Sequence, residues 1–397
     1  MNREDFPILN NDIIYFDNGA TTLKPKSVIE AMNKYYFEHT SNIHRGDYKQ
    51  AIVTNELYDG TREVVKEFVN AQGAEVIFTK GTTESLNLVV FGYMKKHLKR
   101  GDEVLLSKAE HASNILPWIK LSEEIGINIK YAPLNKDYEL TYESIEKAIT
   151  PKTRVVSIAQ VSNVVGDVRD IEKIGALCKK KNILLSVDGA QSVPHMPVDF
   201  TKDNMDFLAF SGHKMAGPTG VGCLVVKKAL IDKMEPLIYG GGMNQDFASD
   251  GSYELKKGPS RFEGGTPPIA EVIGLREAIN YLSAMGMDTI HKHELALKKY
   301  LVDELSKIEN IKLYNTKSKS GILSFNINDV FAQDTSIYLN HYNICVRAGN
   351  HCAKVLKDEL NIKNTVRISL YFYNTKEEID KLIEVLRQSY NIFKVVI

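Results

Sequence analysis

Short apolar runs alternate with amphipathic stretches from about residue 60 to residue 230. EVIFT (75–79), EVLLS (103–107), RVVSIAQ (154–160), ILLSV (183–187), DFLAF (206–210) and VGCLVV (221–226) are short and almost continuously apolar, which predicts strands buried on both faces. Between them, Glu84 to Leu98 sets Leu86, Val89, Val90, Tyr93 and Met94 at helical spacing. This alternation predicts an α/β fold in which helices cover a parallel sheet. From Gly240 to Pro268 the pattern stops, because GGGMNQDF and RFEGGTPP are too polar and turn-rich for core elements, and a long functional excursion is expected there. Helical patterns return at Ala270 to Met285 and at His291 to Ile308. GILSFNIN (321–328), NICVR (343–347) and VRISL (366–370) then read as short strands, and Glu377 to about Phe393 as an amphipathic helix. They predict a smaller α+β domain, with a boundary near 270–290.

A chain of 397 residues is too long for one small core and fits this two-domain picture. Fifty basic and fifty acidic residues leave a net charge of +0, so no nucleic-acid partner is expected. MNREDFPILNND has no apolar stretch resembling a secretory signal, and no run approaches the roughly 18 apolar residues of a membrane helix, so a cytoplasmic protein without a membrane partner is expected. Four cysteines (Cys178, Cys223, Cys345, Cys352) are too sparse for a disulfide scaffold and lack metal-binding spacing. His291 and His293, two apart on a helix, point away from each other, and no metal site is expected.

Ligands of open α/β sheets bind beyond the carboxyl ends of the strands, so the residues that follow each strand carry the chemical information. EVIFT leads into Gly81-Thr82-Thr83, RVVSIAQV into Ser162-Asn163, ILLSV into Asp188-Gly189-Ala190-Gln191, and DFLAF into Ser211-Gly212-His213-Lys214. A Gly-Thr-Thr turn at a helix start offers hydroxyls and free N–H groups to a phosphate, although alone it is more often a simple cap. An aspartate closing an apolar run needs a cation or several donors, and a lysine flanked by glycines is by itself most often a solvated loop residue. Together, a phosphate seat, a strand-end acid and a lysine are the parts that pyridoxal phosphate requires: a Schiff-base amine, a partner for the pyridinium nitrogen and a phosphate anchor.

Ten segments carry a resemblance that runs nearly end to end: YFDNGATTLKP, NIHRGDY, FTKGTTESLNLV, EHASNILPW, VSNVVGDV, VDGAQSVPHMPVDF, SGHKMAGPTGVG, RFEGGTPP, RAGNHCA and RISLYFYNT. In this order they resemble the SufS-like cysteine desulfurases of the class V aminotransferase family. The resemblance implies a pyridoxal-phosphate-dependent transferase of the aspartate aminotransferase-like fold type I. It implies an N-terminal segment (1–20) packing with the small domain, a large cofactor-binding domain (21–280) and a small domain (281–397) carrying a catalytic cysteine loop. By motif, Lys214 is similar to the Schiff-base lysine, Asp188 to the pyridinium partner, Gln191 and Asn163 to polar contacts of the ring, and His111 to the imidazole stacked on it. Thr82, Thr83, Ser211 and His213 resemble phosphate ligands, as does Thr266, which in the family reaches the phosphate from the partner subunit and so implies a homodimer with shared active sites. Arg367 resembles the arginine that pairs with the substrate carboxylate, with Arg347 and Asn163 beside it. Cys352 matches the sulfur-accepting nucleophile, in a polar loop between His351 and Lys354 that would favour a thiolate. Cys178, Cys223 and Cys345 read as packing residues.

The reaction so implied converts L-cysteine to L-alanine. Lys214 removes the Cα proton, and Cys352 takes the sulfur as a persulfide for an acceptor protein of the SufU or SufE kind, for iron–sulfur cluster assembly. The short cysteine loop implies an acceptor that docks over the site. Three departures stand out: Gly19 where relatives have alanine, taken as backbone-permissive; Asn350 where many have a second histidine; and Ala112-Ser113 where His-Ala is common. The alternatives are a selenocysteine lyase or cysteine-sulfinate desulfinase on the same fold, and, in a different class, a scaffold without activity.

Overall fold

The computed structural model describes residues 3–396. Its centre is a seven-stranded sheet of β1 (Ala74–Thr79), β2 (Glu103–Ser107), β3 (Asn128–Ala132), β4 (Thr153–Ala159), β5 (Leu184–Asp188), β6 (Phe207–Ser211) and β7 (Gly222–Lys227). The spatial order is β1-β7-β6-β5-β4-β2-β3. β7 pairs antiparallel with both neighbours, and the remaining pairs are parallel, so the sheet is mostly parallel as expected. Being antiparallel to β7 on either side, β1 and β6 run the same way, and Thr79, Gly222 and Ser211 fall in line across the sheet. The carboxyl ends of six strands therefore share one rim.

Period-2 alternation divides the strand residues between two cores. Leu105, Val156, Ile158, Leu185, Val187 and Leu208 face one side, where helices Lys49–Phe68, Ile171–Lys181 and Ile269–Met285 cover them. Val104, Leu106, Val155, Phe207, Leu224 and Val226 face the other, against the helical run from Thr82 to His97 and helix Leu116–Ile125, which buries Trp118. Lys179, Lys180 and Lys181 form an exposed helix end. β3 was not anticipated: it is an edge strand with partly exposed residues at four of its five positions, so it lacks the continuous apolar signature of its neighbours.

The second sheet is antiparallel, with the order β8 (Ile311–Tyr314), β9 (Ile322–Ile327), β11 (Thr365–Ser369), β10 (Arg347–Gly349). One face packs with helices Met287–Leu305, Ala332–Asn340 and Lys376–Val396 around Leu323, Phe325, Val366 and Ile368. The other face turns Ser324, Arg367 and Ser369 toward residues 16–19 and 163–164. The single strand expected over NICVR is two: Ile344–Cys345 pairs in parallel with Ile14–Tyr15, and Arg347–Gly349 joins β11. Cys345 is consequently half-buried, whereas Cys178 and Cys223 are buried in the large domain's core. The change of core occurs within helix Met287–Leu305, where Ile290 packs with the first cluster and Leu297, Leu301 and Leu305 with the small-sheet cluster.

The excursion at 240–268 contains a hairpin of Asn244–Phe247 and Tyr253–Leu255. It is tied to β1 through Glu263, whose carboxylate accepts hydrogen bonds from Arg62 (2.8 and 2.7 Å), Tyr58 (2.9 Å) and Phe78 N–H (3.0 Å). No helix among the described residues is long and apolar enough to cross a membrane.

Candidate active site

A cavity of about 210 Å³ opens at the rim of the large sheet, between it and the second sheet. Thr82, Thr83, His111, Asn163, Asp188, Gln191, Ser211, His213, Lys214, Arg347 and Arg367 all line it, so the structure gathers eleven of the thirteen site residues read from the sequence. The other two lie apart. Thr266 is exposed, its hydroxyl accepting from Asn42 Nδ2 at 3.0 Å, and does not line this cavity. Cys352 is exposed beside the cavity residue His351.

Asp188 ends β5, with its carboxylate buried and Oδ1 accepting the Ala190 N–H at 2.9 Å. Burial raises its pKa to about 6, with the Ala190 N–H and the charge of Lys214 opposing. Lys214 follows β6 on a one-turn helix, and burial lowers its amine to about 8, helped by Arg367 and Arg347 and opposed by Asp188 and Cys352. A lysine poised near neutrality is a usable nucleophile and base. Gln191 donates from Nε2 to Gly19 O (2.7 Å), while its buried Oε1 has no protein donor. His111 accepts the Ser113 N–H on Nδ1 (3.1 Å), so the neutral ring carries its proton on Nε2. Burial and the nearby cations lower its pKa to about 4.

Where the helical run from Thr82 begins, Gly81 has φ +152 and the Thr82 N–H and hydroxyl both meet Ser211 Oγ, at 2.8 and 2.7 Å. A Cβ at Gly81 would stand 3.2 Å from that Oγ, so glycine leaves the cradle open. Thr83 shares its hydroxyl with Ser113 (2.8 Å), and burial lowers His213 to about 4. A buried acid, a low-pKa lysine, a buried amide with one N–H to spare and paired hydroxyls fit pyridoxal phosphate: Asp188 would hold its ring nitrogen, the second Nε2 hydrogen of Gln191 its ring oxygen, and Thr82 and Ser211 its phosphate.

Arg367 is 1 % exposed. Its Nη1 donates to Asn163 O (3.0 Å) and its Nη2 to Asp17 Oδ1 (2.9 Å), while buried Nε has no partner. Two of five guanidinium N–H groups are thereby used, and three remain for a carboxylate. Arg347 stands directly opposite in the β10–β11 pairing. The Gly19 departure matters more than expected, because a Cβ there would sit 3.0 Å from Arg367 Cζ and 3.3 Å from Ser369 Oγ. Sequence reading also missed Asp17, although its place in the DNGATT motif could have flagged it.

The cysteine loop is strained and anchored. His351 and Cys352 have φ +52 and +54, and their carbonyls accept from Asn163 Nδ2 and the Ala112 N–H, both at 2.8 Å. The chain neighbours expected to supply charge do not: Lys354 pairs with Asp358 at 2.9 Å, and burial lowers His351 to about 2, leaving a neutral ring bonded to Thr365. Lys214, Arg347 and Arg367 are the cations that line the adjoining cavity. His291 and His293 have separate partners, His195 and Asn374.

The class V aminotransferase family model matches residues 14–382. A probable cysteine desulfurase of Halalkalibacterium halodurans is 42 % identical over 98 % of this chain and 97 % of its own length. One from Staphylococcus aureus is 41 % identical over 98 % and 96 %. Among solved structures, a cysteine desulfurase of Thermococcus onnurineus superposes with a TM-score of 0.93 at 38 % identity, covering 97 % of this chain and 96 % of that one. CsdA, a cysteine desulfurase of Escherichia coli, gives 0.92 at 33 % identity, covering 98 % of each chain.

Proposed function

This chain belongs to the class V aminotransferase family, among its cysteine desulfurases, and from that premise we propose that it converts L-cysteine to L-alanine and passes the sulfur from Cys352 to an acceptor protein. The observation that carries the reading is one cavity shared by Lys214, Asp188 and Arg367, with the cysteine loop hydrogen-bonded to its wall. The family is pyridoxal-phosphate-dependent, and the bound cofactor supplies an electron sink for the pair left at Cα.

The residues of this chain do the rest. Arg367 holds the substrate carboxylate on its free N–H groups, with Arg347 adding positive charge from the facing strand. Lys214, with its amine near pKa 8, takes the Cα proton. Sγ of Cys352, as thiolate, attacks the substrate sulfur: an S–S bond forms, the Cβ–S bond breaks, and its electron pair goes to Cβ, which is then protonated. Cysteine and the Cys352 thiol thus become alanine and a Cys352 persulfide, with atoms and electrons balanced. Neutral His111, with its proton on Nε2, is placed to hold or deliver one of these protons.

In the same reading, residues 1–20 pack with the small domain, 21–280 bind the cofactor and 281–397 carry the cysteine loop. Thr266, exposed and outside the lining of its own cavity, completes the phosphate site of a second copy in a homodimer. The acceptor is a SufU- or SufE-like protein, and the sulfur is destined for iron–sulfur clusters in the cytoplasm.

The test is the absorbance of the purified protein in the Schiff-base region, followed by sulfide and alanine assays with L-cysteine and a reductant, for wild type and Cys352→Ala. Colour and both products from the wild type, with a variant that binds cysteine but makes neither, are expected. A variant as active as wild type removes the persulfide step and favours a selenocysteine lyase or cysteine-sulfinate desulfinase.

A further inference from the structure

The eight residues Asp17 to Lys24 touch three separate parts of the site. Asp17 Oδ1 accepts from Arg367 Nη2 at 2.9 Å, and Gly19 O accepts from Gln191 Nε2 at 2.7 Å. The far end closes on the carbonyl of His213, the residue before Lys214. That oxygen accepts from Thr22 N–H (2.9 Å), Thr21 Oγ1 (3.0 Å), Lys24 Nζ (3.1 Å) and Thr22 Oγ1 (3.2 Å). Thr22 Oγ1 in turn accepts the Ala216 N–H at 2.8 Å, on the other side of Lys214. A carbonyl has two lone pairs, so these four donors share them, and as the charged donor Lys24 competes best for the oxygen.

Lys24 is unusual among these donors. It is half-buried, and its acceptors are Thr21 Oγ1, the carbonyl of Thr22 and the carbonyl of His213. Among the described residues no carboxylate pairs with it, and burial lowers its amine to about 8. A cation taken out of water without a counter-charge costs stability, and this one is spent on the peptide group that leads into Lys214.

We infer that Lys24 is a positioning residue for Lys214: by clamping the His213 carbonyl it fixes the backbone from which the Lys214 amine is aimed at the cavity, and it makes residues 17–24 a strap between Arg367 and Lys214. The inference rests on Lys214 being the Schiff-base lysine.

The test compares wild type, Lys24→Met and Lys24→Arg as full chains. Two quantities are read: the rate at which apoprotein and pyridoxal phosphate develop the Schiff-base absorbance, and the kcat and KM for L-cysteine. A misaimed amine slows both the bond-forming rate and kcat by about tenfold or more, with KM unchanged because Arg367 is untouched, and arginine restores both. Lys24→Met with wild-type absorbance kinetics and kcat overturns the inference, even where its thermal transition is lower, since lysine is then only a packing residue. Should Lys24→Met not fold, Thr21→Val removes one donor from the same carbonyl, and is expected to slow the same two quantities to a smaller degree; no change overturns the inference. Wild-type apoprotein that forms no Schiff base overturns the reading of Lys214 and this inference with it. A wild type that does so while Lys24→Met matches it overturns the role of Lys24 alone.

Discussion

Replacing Arg169 by methionine removes the cation from a buried network beneath the site. Its guanidinium, with none of its surface exposed, donates to Glu110 Oε1 (2.7 Å), Ala159 O (2.6 Å), Asp167 Oδ2 (3.2 Å) and Ser107 Oγ (3.3 Å). Glu110, also fully buried, accepts in addition from Ser107 Oγ (2.5 Å), Asn114 Nδ2 (2.9 Å) and the Ala159 N–H (2.7 Å). The network thus joins the ends of β2 and β4 to the residue before His111 and to the loop carrying Asn163. Breaking a buried pair by removing one partner costs roughly 3–5 kcal/mol, because the other charge stays buried without compensation. Three neutral donors remain on Glu110, which places the expected loss near 3 kcal/mol.

The loss depends on pH through the carboxyl that Arg169 leaves behind. Burial already raises the carboxyl of Asp167, and Arg169 is the main influence pulling it down. Without the guanidinium its pKa rises further, so the variant's deficit is largest at neutral pH and narrows on acidification, as the carboxyl takes up a proton. Urea unfolding followed by the fluorescence of Trp118, the chain's single tryptophan and buried in the large-domain core, measures this at pH 7.5 and pH 5.5. Glu110→Gln in the same chain is expected to recover part of the deficit, since the unpaired charge is then gone. A loss under about 1 kcal/mol, or one that is the same at both pH values, excludes an uncompensated buried charge as its origin.

Three further outcomes follow from the site. Gly19→Ala forces a methyl group against the Arg367 guanidinium, and is expected to raise the KM for L-cysteine by roughly tenfold with kcat little changed, an overpacking cost of about 1.4 kcal/mol; unchanged steady-state constants would show that Arg367 has room to yield. Because the Lys214 amine lies near 8, the rate of pyridoxal phosphate uptake by apoprotein should climb with pH and level off just above 8, whereas a rate still climbing beyond about pH 9 is that of an ordinary lysine. His111, His213 and His351 have folded values of about 4, 4 and 2, below the usual value near 6.5. The unfolded chain therefore takes up protons on these rings first as the pH falls, so their contribution to apoprotein stability, complete above about pH 6.5, is lost toward pH 4, against an opposite contribution from Asp188 and Asp203, whose folded values are raised to about 6; ring resonances of these histidines that titrate above pH 6 in the folded apoprotein count against the neutral state.

What could be read from the sequence was whatever ends a continuously buried strand. Asp188, Ser211 and Lys214 stand at the limits of apolar runs, so both their sheet and their shared rim follow from the pattern. β3 escaped because an edge strand with half-exposed residues such as Ile129 and Tyr131 has no such run. NICVR hid a change of sheet at Val346, since strand composition does not say which neighbour a strand pairs with. Lys24 and Asp17 were passed over for another reason. A lysine or aspartate in a polar segment reads as solvated until tertiary contacts show a carbonyl or a guanidinium waiting for it.

The same distinction explains how the site divides its chemistry. The rim of the large sheet provides groups whose protonation is tuned by burial, Asp188 upward and Lys214 downward. The small sheet provides charge. Arg347 and Arg367 face each other across one strand pairing, an arrangement that is unfavourable by itself because like charges directly opposite repel. Asp17, from the N-terminal strap, neutralises only one of them. An anionic group entering between the two guanidinium groups relieves the remaining repulsion, so the strand register itself favours an anion at this point of the cavity. Shifting that register by one residue would turn Arg367 into the small-domain core and Ile368 toward the cavity, which makes the alternation Val366-Arg367-Ile368-Ser369 as much a determinant of the cavity's positive charge as the arginine it presents.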